Sequence, residues 1–436
     1  MNIVLLSGGS GKRLWPLSND IRSKQFIKLF KDENGEYQSM IQRMYHKICE
    51  VNGESDITVA TNKSQISEIR NQLGDCVSIC VEPCRRDTFP AIVLATAYLH
   101  DVKGISEEEA VVVCPVDPYV GDEYFRLLNV LWERAKNGSS NLSLMGIEPE
   151  YPSEKYGYII PETSGEISRI KTFKEKPDEK TAEEYIKDGA LWNGGVFAYK
   201  IKYVLDKAQS IIGFNSYDRL FSEYEKLEKI SFDYAVTEKE PNVEVIKYSG
   251  EWKDLGTWNT LTEAMEERSV GNASFNESCE NVHVVNELDI PVLCMGLKDV
   301  IVSASPEGIL ISDKEQSNQI KPYVDKIDIP VMFAEKSWGD FYIIDRDDNC
   351  LTIKLTIKQG KKMNYHSHER REEIWTVISG CGSVIIDGEE RKIRQGDSVT
   401  IKAGSKHTII ADTLMKVIEV QLGNNISVSD KKKFDD

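Results

Sequence analysis

The chain begins with Asn2-Ile3-Val4-Leu5-Leu6-Ser7-Gly8-Gly9-Ser10-Gly11-Lys12-Arg13, and this stretch decides the fold of its first half. The apolar run Ile3–Leu6 predicts a buried strand, and the glycines after it predict a tight turn. Lys12, Arg13 and Lys24 then supply positive charge. A strand that breaks into glycines and basic residues brings backbone N–H groups against phosphates. We therefore expect these residues to hold a nucleoside triphosphate.

The overall composition excludes several classes of partner. The 436 residues include 54 Lys and Arg against 71 Asp and Glu, a net charge of -17. Nucleic acids and membrane surfaces attract basic faces, so we expect neither as a partner. No apolar run approaches the ~20 residues of a membrane span, and Met1-Asn2 leads straight into a strand without a secretory signal. The nine scattered cysteines favour free thiols in a reducing, cytoplasmic setting.

The length of the chain predicts more than one domain. Strand and helix patterns alternate through residues 1–270, which predicts an α/β domain with a mostly parallel sheet. The expected strands are Ile3–Leu6, Ile57–Ala60, Val77–Val81, Ala110–Val113 and Leu142–Gly146, and the expected helices are Ser39–Val51, Ser64–Leu73 and Phe89–Asp101, capped by Thr88. Ligands of such sheets lie beyond the carboxyl ends of strands, where the Gly8–Arg13 loop, Glu82 and Asp117 fall.

The remainder of the chain is predicted to be β structure. Residues 271–330 predict a short β-rich, β-helix-like segment with a connector at 317–330, and residues 331–436 predict an all-β barrel or jelly roll. Its expected strands are Phe341–Asp345, Cys350–Ile357, Ile374–Ile378, Gly382–Asp387, Asp397–Ile401, His407–Ile410 and Met415–Gln421. We expect Lys431–Lys433 to be a solvated end.

Seven short blocks of sequence follow one another in a specific order. They are Leu6–Leu17 with Lys24-Gln25-Phe26, Glu82-Pro83 with Arg86-Asp87-Thr88, Pro115-Val116-Asp117, Tyr156-Gly157-Tyr158-Ile159, Phe173-Lys174-Glu175-Lys176-Pro177, Trp192–Phe197, and Trp252–Trp258. Together they resemble sugar-1-phosphate nucleotidyltransferases, in particular the mannose-1-phosphate guanylyltransferase branch. The resemblance implies a Rossmann-like, glycosyltransferase-A-like first domain. Lys12, Ser23 and Asp87 depart from the family, which has threonine, proline and asparagine there.

The resemblance also implies a nucleotide site in the first blocks. Its members would be Leu6, Gly8, Gly9, Gly11, Lys12, Arg13, Lys24 and Glu82. A carboxylate such as Glu82 accepts hydrogen bonds from the ring N–H and exocyclic amine of guanine, a pair that adenine does not offer. We therefore expect GTP, while an ordinary surface acid is the alternative for Glu82.

By the same resemblance, the later blocks supply the metal and sugar sites. Asp117 and Asp254 would hold Mg²⁺, which takes one or two protein carboxylates plus phosphate oxygens; singly, each would be an ordinary turn aspartate. Gly157, Glu175 and Asn193 would contact the sugar. The catalytic residues implied are Arg13, Lys24, Asp117, Lys176 and Asp254. They would form GDP-mannose and pyrophosphate from GTP and mannose 1-phosphate by in-line displacement. Another sugar 1-phosphate or nucleotide remains the alternative.

The last domain carries two histidine motifs with the spacing of a cupin. The first comprises Gly360, His366-Ser367-His368, Glu373 and Gly380, and the second comprises Gly396, Lys402-Ala403-Gly404 and His407. Their three imidazoles and one carboxylate suit Zn²⁺ or another divalent metal such as Fe, Mn or Ni. The domain resembles type II mannose-6-phosphate isomerase, although Ile374 and Thr408 replace a histidine and an arginine of that family. It would either interconvert fructose 6-phosphate and mannose 6-phosphate, or bind a ligand or build a homo-oligomer without catalysis.

Overall fold

The computed structural model describes residues 1–9, 12–19, 22–53, 55–327, 331–424 and 426–434. The chain forms two compact units. The first contains Met1–Leu14, Ser23–Arg268 and Lys314–Asn318, and the second contains Trp15–Arg22, Ser269–Asp313 and Gln319–Asp436. Within the described residues we find no helix with the length and apolar character needed to cross a membrane. All nine cysteines lie in the described ranges and are reduced thiols.

The first unit has the expected α/β composition. Its strands are β1 (Asn2–Leu6), β2 (Lys28–Lys31), β3 (Tyr37–Ser39), β4 (Asp56–Asn62), β5 (Ser78–Glu82), β6 (Ala110–Pro115), β7 (Pro118–Val120), β8 (Leu142–Ile147), β9 (Gly157–Pro161), β10 (Ile167–Glu175), β11 (Leu191–Lys200), β12 (Val243–Tyr248) and β13 (Trp252–Asp254). Its helices are α1 (Met40–Asn52), α2 (Ile66–Leu73), α3 (Thr88–Ala97), α4 (Asp122–Asn137), α5 (Glu179–Lys187), α6 (Ile201–Ile212), α7 (Tyr217–Glu223), α8 (Phe232–Ala235) and α9 (Trp258–Glu263).

A nine-stranded sheet in the order β5-β4-β1-β6-β11-β8-β12-β10-β9 forms the centre of this unit. Strands β5, β4, β1 and β6 are parallel, as are β8 and β12. Strand β11 runs antiparallel between β6 and β8, and β10 runs antiparallel to β12 and β9. Seven of the nine strands therefore run in one direction, with β11 and β10 opposed to them, which confirms the expectation of a mostly parallel sheet. Neither β11 nor β10 is among the strands expected from the sequence. Glycines and a bulge interrupt β11, and charged residues break up the apolar pattern of β10.

Apolar residues cover both faces of this sheet. Ile3 and Leu5 of β1 belong to one buried cluster, while Val4 between them belongs to another. This alternation follows from the two-residue period of a strand. The expected cap of α3 is wrong by one residue. Asp87 accepts from the Thr88 N–H, whereas the Thr88 hydroxyl accepts from the backbone N–H of Phe232.

The second unit begins with short strands that stack mainly in parallel. They are β14 (Ser269–Val270), β15 (Ala273–Phe275), β16 (His283–Asn286), β17 (Val292–Cys294), β18 (Val300–Ser305) and β19 (Gly308–Asp313). Strand β16 is parallel to β14 and β18, and β15 is parallel to β17, whereas β19 returns antiparallel to β18. The expected connector contains most of the 3-10 turn Gln316–Gln319 and the short helix α10 (Lys321–Val324). Residues 328–330 of the connector lie outside the described ranges.

Two antiparallel sheets form the rest of this unit, which confirms the all-β prediction. The strands are β20 (Phe333–Lys336), β21 (Gly339–Asp347), β22 (Cys350–Ile357), β23 (His366–His368), β24 (Arg371–Ser379), β25 (Cys381–Ile386), β26 (Glu389–Arg394), β27 (Ser398–Ile401), β28 (His407–Ala411), β29 (Met415–Gly423) and β30 (Lys431–Lys433). Their orders are β20-β21-β22-β29-β24-β27 and β26-β25-β28-β23-β30. Residues of both sheets, among them Leu355, Trp375 and Ile409, share one buried cluster.

The prediction that Lys431–Lys433 is a solvated end holds for the side chains of Lys432 and Lys433, which are exposed, but not for the backbone, which forms a strand. These residues form β30, which pairs antiparallel with β23 so that Lys431 lies opposite His368 and Lys433 opposite His366. Burial lowers the pKa of Lys431, while the carboxylates of Glu419 and Glu373 attract its ammonium.

Two isoleucines of α6 provide a matched test of the first unit's core. Ile201 is fully buried, whereas Ile211 is 50% exposed. We expect Ile201→Ala to lower the free energy of unfolding by about 3 kcal/mol, because the change leaves a cavity. Ile211→Ala should lower it by less than about 1 kcal/mol. Urea titration followed by circular dichroism measures both values, and equal losses would contradict this packing of α6.

Candidate active site and metal centre

The predicted nucleotide-binding residues gather where the parallel strands of the first unit end. Leu6 is the last residue of β1 and lies between Ala60 of β4 and Pro115 of β6. Glu82 is the last residue of β5, and Asp117 lies between β6 and β7. Because β5, β4, β1 and β6 are parallel, these residues lie along one edge of the sheet.

The glycine turn after β1 runs beside Glu82. A Cβ added to Gly8 would lie 3.7 Å from Glu82 Oε1, and one added to Gly9 would meet nothing within 4 Å. The Ser23 hydroxyl donates to the Gly9 carbonyl over 3.1 Å, which ties this turn to the chain that precedes Lys24. The turn thus presents open backbone next to a buried carboxylate.

Of the next three predicted residues, Gly11, Lys12 and Arg13, the structure describes only the last two. Gly11 lies outside the described residues. Lys12 begins a short 3-10 turn, Lys12–Leu14, which contains the exposed Arg13. The positive charge of Arg13 acts on the Lys24 ammonium.

Lys24 joins the two aspartates that the sequence predicts as magnesium ligands. Its Nζ lies 2.8 Å from Asp117 Oδ2 and 3.7 Å from Asp254 Oδ1. The antiparallel pairing of β13 with β7 puts Asp254 opposite Pro118, and this brings the two carboxylates together from distant parts of the chain. Burial disfavours the charge of Lys24, but both carboxylates outweigh it and raise the pKa of this lysine. Burial likewise opposes ionisation of Asp117, yet Lys24 keeps its pKa below the ordinary value.

The surroundings of Asp254 fit a bound divalent cation. A Cβ added to Gly256 would lie 3.2 Å from both carboxylate oxygens of Asp254, so glycine leaves this carboxylate open. The side chains of Asp117 and Asp254 are each more than a third exposed. Two accessible carboxylates beside an open glycine turn form the oxygen-donor set that Mg²⁺ takes.

The predicted sugar-binding residues meet at the junction of β9, β10 and β11. Gly157 lies opposite Glu175, and a Cβ added to Gly157 would collide with Glu175 Oε2 and come within 2.9 Å of the Phe173 ring. Asn193 adjoins the same glycine and donates to Asp233 Oδ1 over 2.7 Å. A side chain at position 157 would therefore fill the space between these polar groups.

Lys176 directs its ammonium onto Glu175, with which it forms an ion pair. Its φ of 46° is unusual for a residue with a side chain, and Pro177 follows it. Burial lowers the pKa of Lys176, but Glu175 more than compensates, so its net pKa is raised.

Sequence reasoning missed two polar residues at this edge, Tyr224 and Asp233. The Tyr224 hydroxyl donates to Glu82 Oε2 over 2.9 Å, while Asp233 accepts from Asn193. Burial, followed by the negative charge of Glu175, raises the pKa of Asp233 to about 7. Both residues lie in the helical segment between β11 and β12, where no glycine or strand end marks them in the sequence.

The second unit contains a compact cluster formed by the four predicted cupin ligands. The potential ligand atoms of His366, His368, Glu373 and His407 all lie within 4.8 Å of one another, and all four residues are buried. His368 Nε2 lies 3.0 Å from Glu373 Oε1, and His407 Nε2 lies 3.2 Å from Glu373 Oε2.

The hydrogen bonds of these histidines fit a bound metal ion. The Nδ1 atoms of His366 and His407 lie 2.6 Å and 2.9 Å from the carbonyl oxygens of Asn364 and Ser405. A proton on each Nδ1 leaves the Nε2 lone pair free for a metal. His407 Nε2 is buried and makes no hydrogen bond within the described residues, although it faces a carboxylate. A divalent ion bound by both atoms would satisfy this contact. Burial, aided by the charge of Lys431, lowers the pKa of His366 to about 2, which keeps its ring neutral.

The structure shows where the two residues that depart from the isomerase pattern, Ile374 and Thr408, lie. Ile374 alternates with the buried residues Glu373 and Trp375 along β24, so its side chain lies on the opposite face from the His/Glu cluster. The buried Thr408 hydroxyl donates to the Met363 carbonyl. Neither residue supplies an ionisable group.

Comparison with known families matches both parts of the chain. The Nucleotidyl transferase model matches residues 2–269, and the Mannose-6-phosphate isomerase C-terminal model matches residues 331–436. The mannose-1-phosphate guanylyltransferase of Salmonella montevideo is 27% identical over 478 residues, with coverage of 99% of this chain and 98% of the relative. The enzyme of the same name from Escherichia coli is 28% identical, with coverage of 99% and 97%.

A solved structure supports the same relationship. The Thermus thermophilus protein described as a mannose-1-phosphate geranyltransferase is 27% identical, with a TM-score of 0.64. The match covers 74% of this chain and 98% of that one. The chain therefore belongs to the nucleotidyl transferase family and has a C-terminal domain of the mannose-6-phosphate isomerase type.

Proposed function

We propose that the protein transfers a guanylyl group from GTP to mannose 1-phosphate, forming GDP-mannose and pyrophosphate. The observation that carries this proposal is the contact of Lys24 with both Asp117 and Asp254 beside an open glycine turn. The names of the Salmonella and Escherichia coli relatives favour these two substrates. The family match supports the nucleotidyl transfer itself.

On the nucleotide side, the backbone of Gly8 and Gly9 holds the triphosphate, together with Gly11 and Lys12. Arg13 and Lys24 neutralise charge that develops on the departing pyrophosphate. Leu6 supports the turn, and Glu82 accepts hydrogen bonds from guanine. The closeness of Gly8 to Glu82 supports the assignment of base and phosphates to neighbouring parts of one pocket.

On the sugar side, Glu175 and Asn193 bind hydroxyl groups of the hexose, and Gly157 keeps the space between them open. Lys176 leaves Glu175 to bind the sugar phosphate. That phosphate is already an anionic nucleophile, so the reaction needs no general base from the protein. Asp117 and Asp254 would hold Mg²⁺, which, when bound, neutralises phosphate charge and orients the reacting groups.

We further propose that the chain divides at residues 270 and 330 into a transferase domain, a short β-rich segment and a cupin domain. The nine reduced cysteine thiols support a location in the cytoplasm, where thiols stay reduced. His366, His368, Glu373 and His407 would bind Zn²⁺ or a similar divalent ion in the cupin.

Replacement of Asp254 tests the proposed reaction. We expect Asp254→Asn to lower Mg²⁺-dependent pyrophosphate release from GTP and mannose 1-phosphate by at least about 100-fold, because a charge that acts at the phosphates is lost. Asp206→Asn, an exposed aspartate of α6, should retain full activity. Wild-type protein should prefer GTP and mannose 1-phosphate in a matrix of four nucleoside triphosphates and several sugar 1-phosphates. Unchanged release by Asp254→Asn would refute the metal assignment.

Two histidine substitutions test the proposed metal site of the cupin. We expect wild-type protein to bind one divalent ion per chain at the cluster, and His407→Ala to weaken that binding by at least about 100-fold, since it removes one ligand. His46→Ala, an exposed histidine outside the cluster, should bind as wild type does. Titration of metal-stripped protein with Zn²⁺, followed by elemental analysis, measures both; no bound ion in the wild type would reject the site.

Isomerisation of sugar phosphates is a second candidate function, favoured by the buried His/Glu cluster and the match to the isomerase C-terminal family. It predicts metal-dependent conversion of fructose 6-phosphate to mannose 6-phosphate, lost in His407→Ala. A coupled assay for mannose 6-phosphate measures this. Metal-loaded wild-type protein that leaves fructose 6-phosphate unconverted would favour the non-catalytic cupin.

A further inference from the structure

The segment 217–239, between α6 and β12, is fastened to the connection between β5 and α3. Arg86 donates to the Glu225 carbonyl, and the Phe232 N–H donates to the Thr88 hydroxyl over 2.8 Å. The Phe89 N–H donates to the Ile230 carbonyl over 3.2 Å. Several polar contacts therefore hold this segment against the residues that follow Glu82.

Tyr224 connects the same segment to Glu82 itself. It begins the short 3-10 turn Tyr224–Lys226, and its side chain is fully buried. Its hydroxyl donates to Glu82 Oε2 over 2.9 Å, whereas Oε1 is the oxygen nearest to Gly8. One carboxylate oxygen is thus fixed from within the protein, and the other faces the glycine turn.

We propose that Tyr224 is a positioning residue for base specificity, which holds the Glu82 carboxylate in the orientation that accepts the ring N–H and exocyclic amine of guanine. The inference rests on the proposed function, which assigns Glu82 to the base. Each carboxylate oxygen can accept two hydrogen bonds, so the bond from Tyr224 leaves capacity for the nucleotide. Without that bond, the carboxylate is free to rotate away from the plane that the base requires.

The same hydrogen bond also favours the ionised form of Glu82. Burial raises the pKa of Glu82, while the Tyr224 hydroxyl and the positive charge of Arg85 act in the opposite direction. An ionised carboxylate accepts from guanine and repels the N1 lone pair of adenine, whereas a protonated carboxyl can donate to that lone pair. Loss of the Tyr224 hydroxyl should therefore reduce discrimination between the two bases rather than weaken nucleotide binding in general.

The test is the ratio of GTP to ATP affinity in Tyr224→Phe, which removes the hydroxyl and keeps the ring. We expect the preference for GTP, measured as the ratio of Kd values by calorimetry with Mg²⁺, to fall at least about tenfold, as for a lost hydrogen bond to a charged group. The control is Tyr203→Phe, which removes a comparable 2.8 Å hydrogen bond from tyrosine to Glu240. It should leave the ratio unchanged.

A double variant shows whether Tyr224 acts through Glu82. Glu82→Gln should lower the ratio, and adding Tyr224→Phe to it should lower the ratio no further, because interacting residues are not additive. Equal weakening of GTP and ATP binding in Tyr224→Phe, an unchanged ratio, or independent effects in the double variant would overturn the inference. Absence of GDP-mannose formation by wild-type protein would instead refute the proposed function, since the affinity ratio does not depend on turnover.

Discussion

The ion pairs between the Lys24 ammonium and the carboxylates of Asp117 and Asp254 are the interaction on which the site depends. They join the chain after the glycine turn, the chain after β6, and the last residue of β13. None of these segments is near another in sequence. The sheet must form with β1 beside β6, and β13 must pair with β7, before the three charges can meet. Burial opposes the charges of Lys24 and Asp117, and their mutual attraction outweighs it, so that the pKa of Lys24 is raised and that of Asp117 is lowered.

Much of this arrangement can be predicted from sequence, for a physical reason. Buried parallel strands such as β1 and β6 are almost wholly apolar, and polar residues at their ends stand out against that background. Glu82 and Asp117 are found in this way. Strand β11 is hidden, because Gly194 and Gly195 interrupt it at a bulge. Strand β30 is hidden because three consecutive lysines resemble a solvated end, and only its pairing with β23 reveals it.

Tyr224 and Asp233 show the limit of such reasoning. Each reaches the site from a short helical segment, and each is recognised only by its partner, Glu82 or Asn193. Hydrogen bonds between residues far apart in sequence leave no periodic pattern. The cupin motifs lie at the other extreme, because their ligands come from short, regularly spaced strands. Even there, the backbone carbonyls that orient His366 and His407 are visible only in three dimensions.

The attachment of residues 217–239 has a consequence for how this enzyme can diverge. The segment supplies Tyr224 to the carboxylate assigned to the base and Asp233 to the amide assigned to the sugar. A substitution that shifts the segment therefore changes both proposed pockets at once. Relatives that use another base or another sugar must therefore either retain the packing of this segment or change both preferences together. Among such relatives, the sequence of residues 217–239 should vary with base preference and sugar preference jointly.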